Sequence, residues 1–143
     1  MNFIIVILIL CSQLHSNSVQ YFDGDKTYGY LLAQCDLGPR FPGSEGHKKA
    51  KKLFTNHFKP LADRFTIFEE RILNPYGEDT LKLYNILSRF NIESSDRILL
   101  MAHWDTRAIA DLDSIIENRD KPIIGANDGA SGVAILMHIA KLL

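Results

Sequence analysis

The chain has 143 residues, the length of about one domain. It is 46% hydrophobic and 23% charged, which is typical of globular chains and excludes a largely disordered one. Its 16 Lys and Arg residues against 17 Asp and Glu residues give a formal net charge of −1. This balance gives no electrostatic reason to expect nucleic acid as a partner.

A short apolar run over residues 3–10 opens the chain and is followed by a polar stretch. A membrane-spanning helix needs about 20 apolar residues, so the run is too short to be one. It suits the core of a secretory signal, although it lacks a basic segment before it and a small-residue cleavage site after it. We predict a signal or anchor segment over residues 1–20, and hence a secreted, periplasmic or membrane-anchored protein. The alternative is a misassigned start or a loose N-terminal extension.

Two helices are predicted in the first half of the chain. The first covers about residues 23–35, where apolar side chains recur at helical spacing. These are Tyr28, Leu31, Leu32 and Cys35. A loop rich in glycine and proline follows over residues 37–47, and Ser44 is placed to cap the second helix. The apolar positions of that helix are Ala50, Leu53, Phe54, His57 and Phe58. Its four lysines are interpreted as a solvated face.

The second half of the chain predicts strands and a final helix. Residues 65–72 and 81–90 are rich in branched and aromatic side chains and flank a turn at 74–77, as in a β-hairpin. The continuous apolar run at 98–102 predicts a strand that is buried on both faces. Residues 131–143 are apolar nearly all round, which predicts a helix buried on several sides. Together these elements predict an α/β fold with a mixed sheet covered by helices.

The final helix is followed by neither a capping glycine nor another strand. A crossover helix in a parallel sheet normally leads into the next strand. We therefore expect residues 21–143 to be the N-terminal part of a longer domain, truncated at its C-terminus.

Cys35 would be the single cysteine of the mature chain, which excludes an internal disulfide.

Polar residues follow the 98–102 strand directly, where open α/β sheets gather their chemistry. His103 and Asp105 lie two residues apart on extended chain and so share one face. Asp128 lies in a glycine-rich turn at 125–132, and imidazole nitrogen and carboxylate oxygen both suit zinc. Alternatively, Asp105 orients a ligand without binding metal. A purely structural interpretation also stands, in which Asp128 caps the last helix and His103 is a hydrogen-bonded buried histidine.

Residues 37–143 resemble the zinc-dependent aminopeptidase superfamily and, within it, the glutaminyl-peptide cyclotransferases (glutaminyl cyclases) of the bacterial type. The matching segments are GPRFPGSEGH at 38–47, NPYG at 74–77, LYNI at 83–86, AHWDTR at 102–107 and GANDGASGVA at 125–134. The resemblance implies a mixed, largely parallel sheet flanked by helices. It also implies Zn²⁺ as cofactor and the N-termini of peptides or proteins as substrate.

The resemblance also assigns roles to individual residues. Asp128 takes the place of the family's metal-binding aspartate, and His103 that of the histidine that binds a second zinc in two-metal aminopeptidases. Asp105 matches the catalytic-site aspartate that orients this centre. The family's catalytic glutamate, its adjacent glutamate ligand and its last histidine ligand have no counterpart in these 143 residues.

The activity implied is the cyclisation of N-terminal glutamine to pyroglutamate with release of ammonia. The segments at 40–44 and 74–77 resemble cyclases more closely than aminopeptidases, which favours cyclisation. One alternative is a zinc aminopeptidase that removes N-terminal residues at the same site. Another is a non-catalytic remnant of the fold.

Overall fold

The computed structural model describes residues 21–74 and 77–143. The predicted signal or anchor segment and two residues of the predicted hairpin turn lie outside these ranges. The elements in chain order are α1 (Gly24–Cys35), α2 (Glu45–Phe58), β1 (Arg64–Leu73), β2 (Thr80–Arg89), a short 3₁₀ helix (Ile116–Asn118) and α3 (Gly132–Leu142). Among the described residues, no helix is long and apolar enough to span a membrane.

Side-chain caps explain where α1 and α2 begin. Asp23 accepts a hydrogen bond from the Lys26 backbone N–H at 3.0 Å, and Ser44 Oγ accepts one from the His47 N–H at 3.0 Å. Each bond satisfies a backbone donor that the first turn of a helix leaves unpaired. Both predicted helices, and the predicted cap at Ser44, are therefore confirmed.

The apolar residues that indicated α1 are not its most buried ones. Tyr28 and Leu32 are 61% and 43% exposed, whereas Thr27 and Gln34 are buried. The Gln34 amide donates to the carbonyls of Tyr30 and Ala130, so the buried face of the helix includes a polar contact with a distant turn. Hydrophobic spacing alone does not reveal such a contact.

The predicted hairpin is confirmed. β1 and β2 pair antiparallel in a register that runs from Arg64 opposite Arg89 to Leu73 opposite Thr80. These two strands form the sheet of the described residues. The largely parallel sheet implied by the resemblance is not seen in this part of the chain, and the architecture shown is a mixed α/β arrangement of helices and one hairpin.

The prediction of a buried strand at residues 98–102 is wrong in this structure. The segment has no strand partner among the described residues, and Ile98, Leu99 and Met101 are 90%, 70% and 81% exposed. It lines an open groove of about 460 Å³ together with residues 85–88 of β2 and several residues of α3. An apolar run becomes a buried strand only when other strands cover its edges and faces. The described residues do not supply that cover.

The core lies where α2 and α3 pack together. Its buried members are Ala50, Phe54, Val133 and Met137. α3 is less completely covered than its composition predicts, because Ile135 remains 44% exposed. This core positions the segment at 103–107, because Trp104 packs against it.

Candidate functional site

Two separate segments form the candidate site. The first is the extended stretch 103–107, in which His103 Nδ1 lies 3.2 Å from the Asp105 backbone carbonyl and 3.7 Å from its carboxylate Oδ1. The second is the turn at 125–131, which leads into α3. His103 Nε2 lies 2.7 Å from Asp128 Oδ1 and so joins the two segments. The structure therefore brings together all three side chains that the sequence singled out.

The turn at 125–131 has the backbone geometry needed to present Asp128. Gly125 is left-handed, with φ of 62°, a conformation that favours glycine. Asp128 interrupts the helical backbone with φ of −105° and ψ of 93°. This break directs the carboxylate away from the helix and towards the imidazole of His103. Ala130 N–H donates to the Gly125 carbonyl at 3.2 Å and closes the turn.

Gly129 allows the two segments to approach each other. A Cβ atom at this position would lie 2.4 Å from the His103 carbonyl oxygen and 2.8 Å from two atoms of the His103 ring. Real Cβ contacts are not that short, so only glycine fits unless the backbone moves. The sequence places Gly129 in a glycine-rich turn but does not indicate which residue it faces.

The purely structural interpretation of these residues is not supported by the geometry. The His103 side chain is 55% exposed, so it is not a buried core histidine. The Asp128 side chain is 78% exposed and contacts His103. Ser131 occupies the N-cap position of α3 and makes no side-chain capping bond, so Asp128 does not cap that helix.

A small pocket borders the three side chains. It has a volume of about 90 Å³. Its lining consists of His103, Asp105, Thr106, Arg107, Ile123 and Asp128. Arg107, one of these residues, forms an ion pair with Asp111. The pocket thus places two carboxylates and an imidazole around a space suited to a small polar group.

The donor atoms suit zinc, but the set is incomplete within the described residues. Imidazole nitrogen and carboxylate oxygen are both common zinc ligands, and a protein zinc site normally uses at least three protein ligands. In residues 21–74 and 77–143, no group of three or more His, Cys, Asp or Glu side chains is placed to hold a metal. His103 and Asp128 therefore offer two donors and do not by themselves form a zinc site. Their roles as ligands remain predictions.

His47, which the sequence does not mark as functional, packs against the site segment at 103–107. Its ring is buried and stacks on Trp104, with centroids 4.4 Å apart and planes 13° apart. Burial is the main cause that lowers the pKa of His47, partly opposed by the nearby Asp105 carboxylate. A lowered pKa favours the neutral ring at pH 7. Since Trp104 lies between His103 and Asp105 in the chain, this stacking helps to fix the site segment.

Arg40 is a second residue of the site region whose role the sequence does not reveal. Its side chain is 0% exposed and lies in the loop between α1 and α2. It donates hydrogen bonds to the carbonyls of Trp104 and Gly125, one in each of the two site segments. The one sequence signal is an arginine inside a glycine- and proline-rich loop, GPRFPG.

The described fold is a mixed α/β arrangement in which His103 and Asp128 lie on two segments beside the core. The family model of peptidase family M28 matches residues 85–143. The chain is thus similar to this family over those residues, and to the bacterial glutaminyl cyclases over part of their length.

Solved structures show the same similarity. A glutaminyl cyclase of Bacteroides thetaiotaomicron bound to N-acetylhistamine is 39% identical, with a TM-score of 0.80 over 87% of this chain and 42% of its own. A leucine aminopeptidase precursor from the same organism gives the same values. A Zn-dependent exopeptidase from Parabacteroides distasonis is 33% identical, with a TM-score of 0.80 over 87% of this chain and 42% of its own. The chain thus spans about two fifths of the length of these relatives.

Proposed function

We propose that the protein carrying this chain is a zinc-dependent glutaminyl-peptide cyclotransferase. It would convert an N-terminal glutamine to pyroglutamate and release ammonia. The observation that carries the proposal is the 2.7 Å approach of His103 Nε2 to Asp128 Oδ1 beside Asp105 and a small pocket. Similarity to a glutaminyl cyclase over 87% of this chain supports it.

In the proposed reaction, the peptide's own α-amine attacks the side-chain amide carbonyl of the glutamine. A C–N bond forms in the new ring, the C–N bond to the amide nitrogen breaks, and ammonia leaves. Zinc bound at the site would polarise the amide carbonyl as a Lewis acid. A proton must pass from the attacking amine to the leaving nitrogen, which requires a general acid–base group. The resemblance assigns that group to a glutamate that has no counterpart in these 143 residues.

In this proposal, the residues of this chain would bind zinc and orient one of its ligands. Asp128 and His103 would supply two donor atoms, which lie 2.7 Å apart in the lining of the pocket. We assign Asp105 the role of orienting His103, because its carbonyl and carboxylate both lie near Nδ1. Such a partner fixes the ring so that Nε2 points into the site.

A zinc aminopeptidase is the second candidate function. Similarity to a leucine aminopeptidase precursor and to a Zn-dependent exopeptidase favours it. The same site would then activate water for hydrolysis of the first peptide bond. A non-catalytic remnant of the fold is the third candidate.

The products formed from two peptides separate these candidates. The protein that carries this chain, purified at its natural length with zinc, would be given a glutaminyl peptide and a leucyl peptide. We expect ammonia and a pyroglutamyl product from the first and no free leucine from the second. Asp128→Asn is expected to abolish the activity, whereas Asp120→Asn, on an exposed carboxylate away from the pocket lining, should keep it.

Two results would contradict the proposal. Free amino acid from both peptides without pyroglutamate would assign an aminopeptidase. No product from either peptide would favour the non-catalytic remnant.

A further inference from the structure

Arg40 is a charged side chain in a fully buried position. The guanidinium donates to three backbone carbonyls: Nε to Trp104 at 3.1 Å, Nη1 to Gln34 at 3.1 Å and Nη2 to Gly125 at 3.0 Å. Its own backbone N–H donates to Thr106 Oγ1 at 2.8 Å. Among the described residues, no carboxylate forms an ion pair with it.

The positions of these acceptors link Arg40 to the candidate site. Trp104 lies between His103 and Asp105 in the chain, and Gly125 begins the turn that presents Asp128. One planar group therefore holds both segments that meet at the His103–Asp128 contact.

The same two segments also approach each other at a second place. A Cβ at Gly125 would lie 2.6 Å from the Thr106 side-chain methyl carbon, so the turn packs closely against the first segment here. Arg40 bonds to both of these residues, through its backbone N–H and through Nη2. The spacing between the segments thus depends on several contacts of one residue.

A role in packing alone does not account for a guanidinium at this place. Burying a charge without a paired carboxylate is unfavourable, and burial is the main cause that lowers the pKa of Arg40. An apolar side chain would fill the same space without that cost. What arginine adds is a rigid fork of donors that reaches several carbonyls at once, a geometry that lysine lacks.

We propose that Arg40 is a positioning residue that holds the two site segments at the separation at which His103 meets Asp128. The inference rests on the proposed function in one respect, since the separation matters for chemistry only if these two side chains act together. It extends that function by assigning a task to a residue that does not line the pocket.

Proton NMR on the full chain tests the proposal with Arg40→Lys, which keeps the charge and removes the fork. The readout is the cross-peak between the His103 ring and the Gly129 Hα protons, groups that the structure brings into close contact. The edge-to-face contact of Tyr30 and His57, with centroids 5.0 Å apart, reports the core in the same spectrum. We expect Arg40→Lys to lose the His103–Gly129 cross-peak and to keep the Tyr30–His57 one.

Arg97→Lys is the matched control. Arg97 also donates to two backbone carbonyls, those of Asn91 and Ile92, but it is exposed and lies outside the site. This variant should keep both cross-peaks.

Two outcomes would overturn the proposal. Retention of the His103–Gly129 cross-peak in Arg40→Lys would show that the donor fork does not set the separation. Loss of both cross-peaks would show that Arg40 supports the fold as a whole. The readout needs neither zinc nor turnover, so a failed cyclisation assay would leave this result standing and remove only the proposed function.

Discussion

Replacement of Gly129 by alanine is expected to separate His103 from Asp128. The new methyl group would lie 2.4 Å from the His103 carbonyl oxygen and 2.8 Å from its ring, so one of the two segments must move. Overpacking of this kind typically costs about 1–3 kcal/mol of unfolding free energy. Because the obstacle includes backbone, a side-chain rotation alone cannot relieve it. Urea unfolding measures the cost, and the chemical shifts of the His103 ring report the lost contact.

Gly29→Ala is the matched control for that variant. Gly29 lies inside α1, and a Cβ there would meet nothing within 4 Å. Alanine in a helix interior is favoured over glycine by roughly 0.5–1 kcal/mol, so this variant should be slightly more stable than the wild type. If Gly129→Ala kept the stability and the His103 shifts of the wild type, the close approach of the two segments would be contradicted.

The second large effect is expected in the core. Met137 is 1% exposed and belongs to the buried cluster between α2 and α3. Its truncation to alanine should lower the unfolding free energy by about 2–5 kcal/mol, from lost burial and a residual cavity. Leu99 is 70% exposed, and its truncation should change stability by no more than about 0.5 kcal/mol. Urea unfolding of both variants gives the comparison.

This pair of variants also tests the correction made to the sequence prediction. If Leu99→Ala cost as much as Met137→Ala, the segment at 98–102 would be buried in solution, as its apolar run predicts. Equal small costs for both would contradict the core itself.

The local elements were predictable because their signals are local. Ser44 caps α2 through a hydrogen bond to the backbone three residues on, and the turn between β1 and β2 lies within a short stretch of sequence. The exposure of residues 98–102 was not predictable in the same way. Burial depends on which other elements cover a segment, and an apolar run does not contain that information.

The candidate site likewise has residues that were predictable from the sequence and residues that were not. His103, Asp105 and Asp128 were identified from residue type, from their place in the chain and from the resemblance, and the structure brings them together. Their metal-binding and orienting roles stay predictions. The supporting role of Arg40 depends on carbonyls 64 and 85 residues away in sequence. No local pattern encodes contacts at that separation. The GPRFPG loop therefore indicated only the resemblance to a family, and not the contacts of Arg40.

The zinc content of the protein that carries this chain, purified at its natural length, tests the proposed metal centre most directly. Asp128 and His103 supply two donors, so removal of one carboxylate should lower the affinity severely. Elemental analysis should find bound zinc in the wild type and in Asp120→Asn, and little or none in Asp128→Asn. Wild-type zinc content in Asp128→Asn would contradict the assignment of this site as the metal centre.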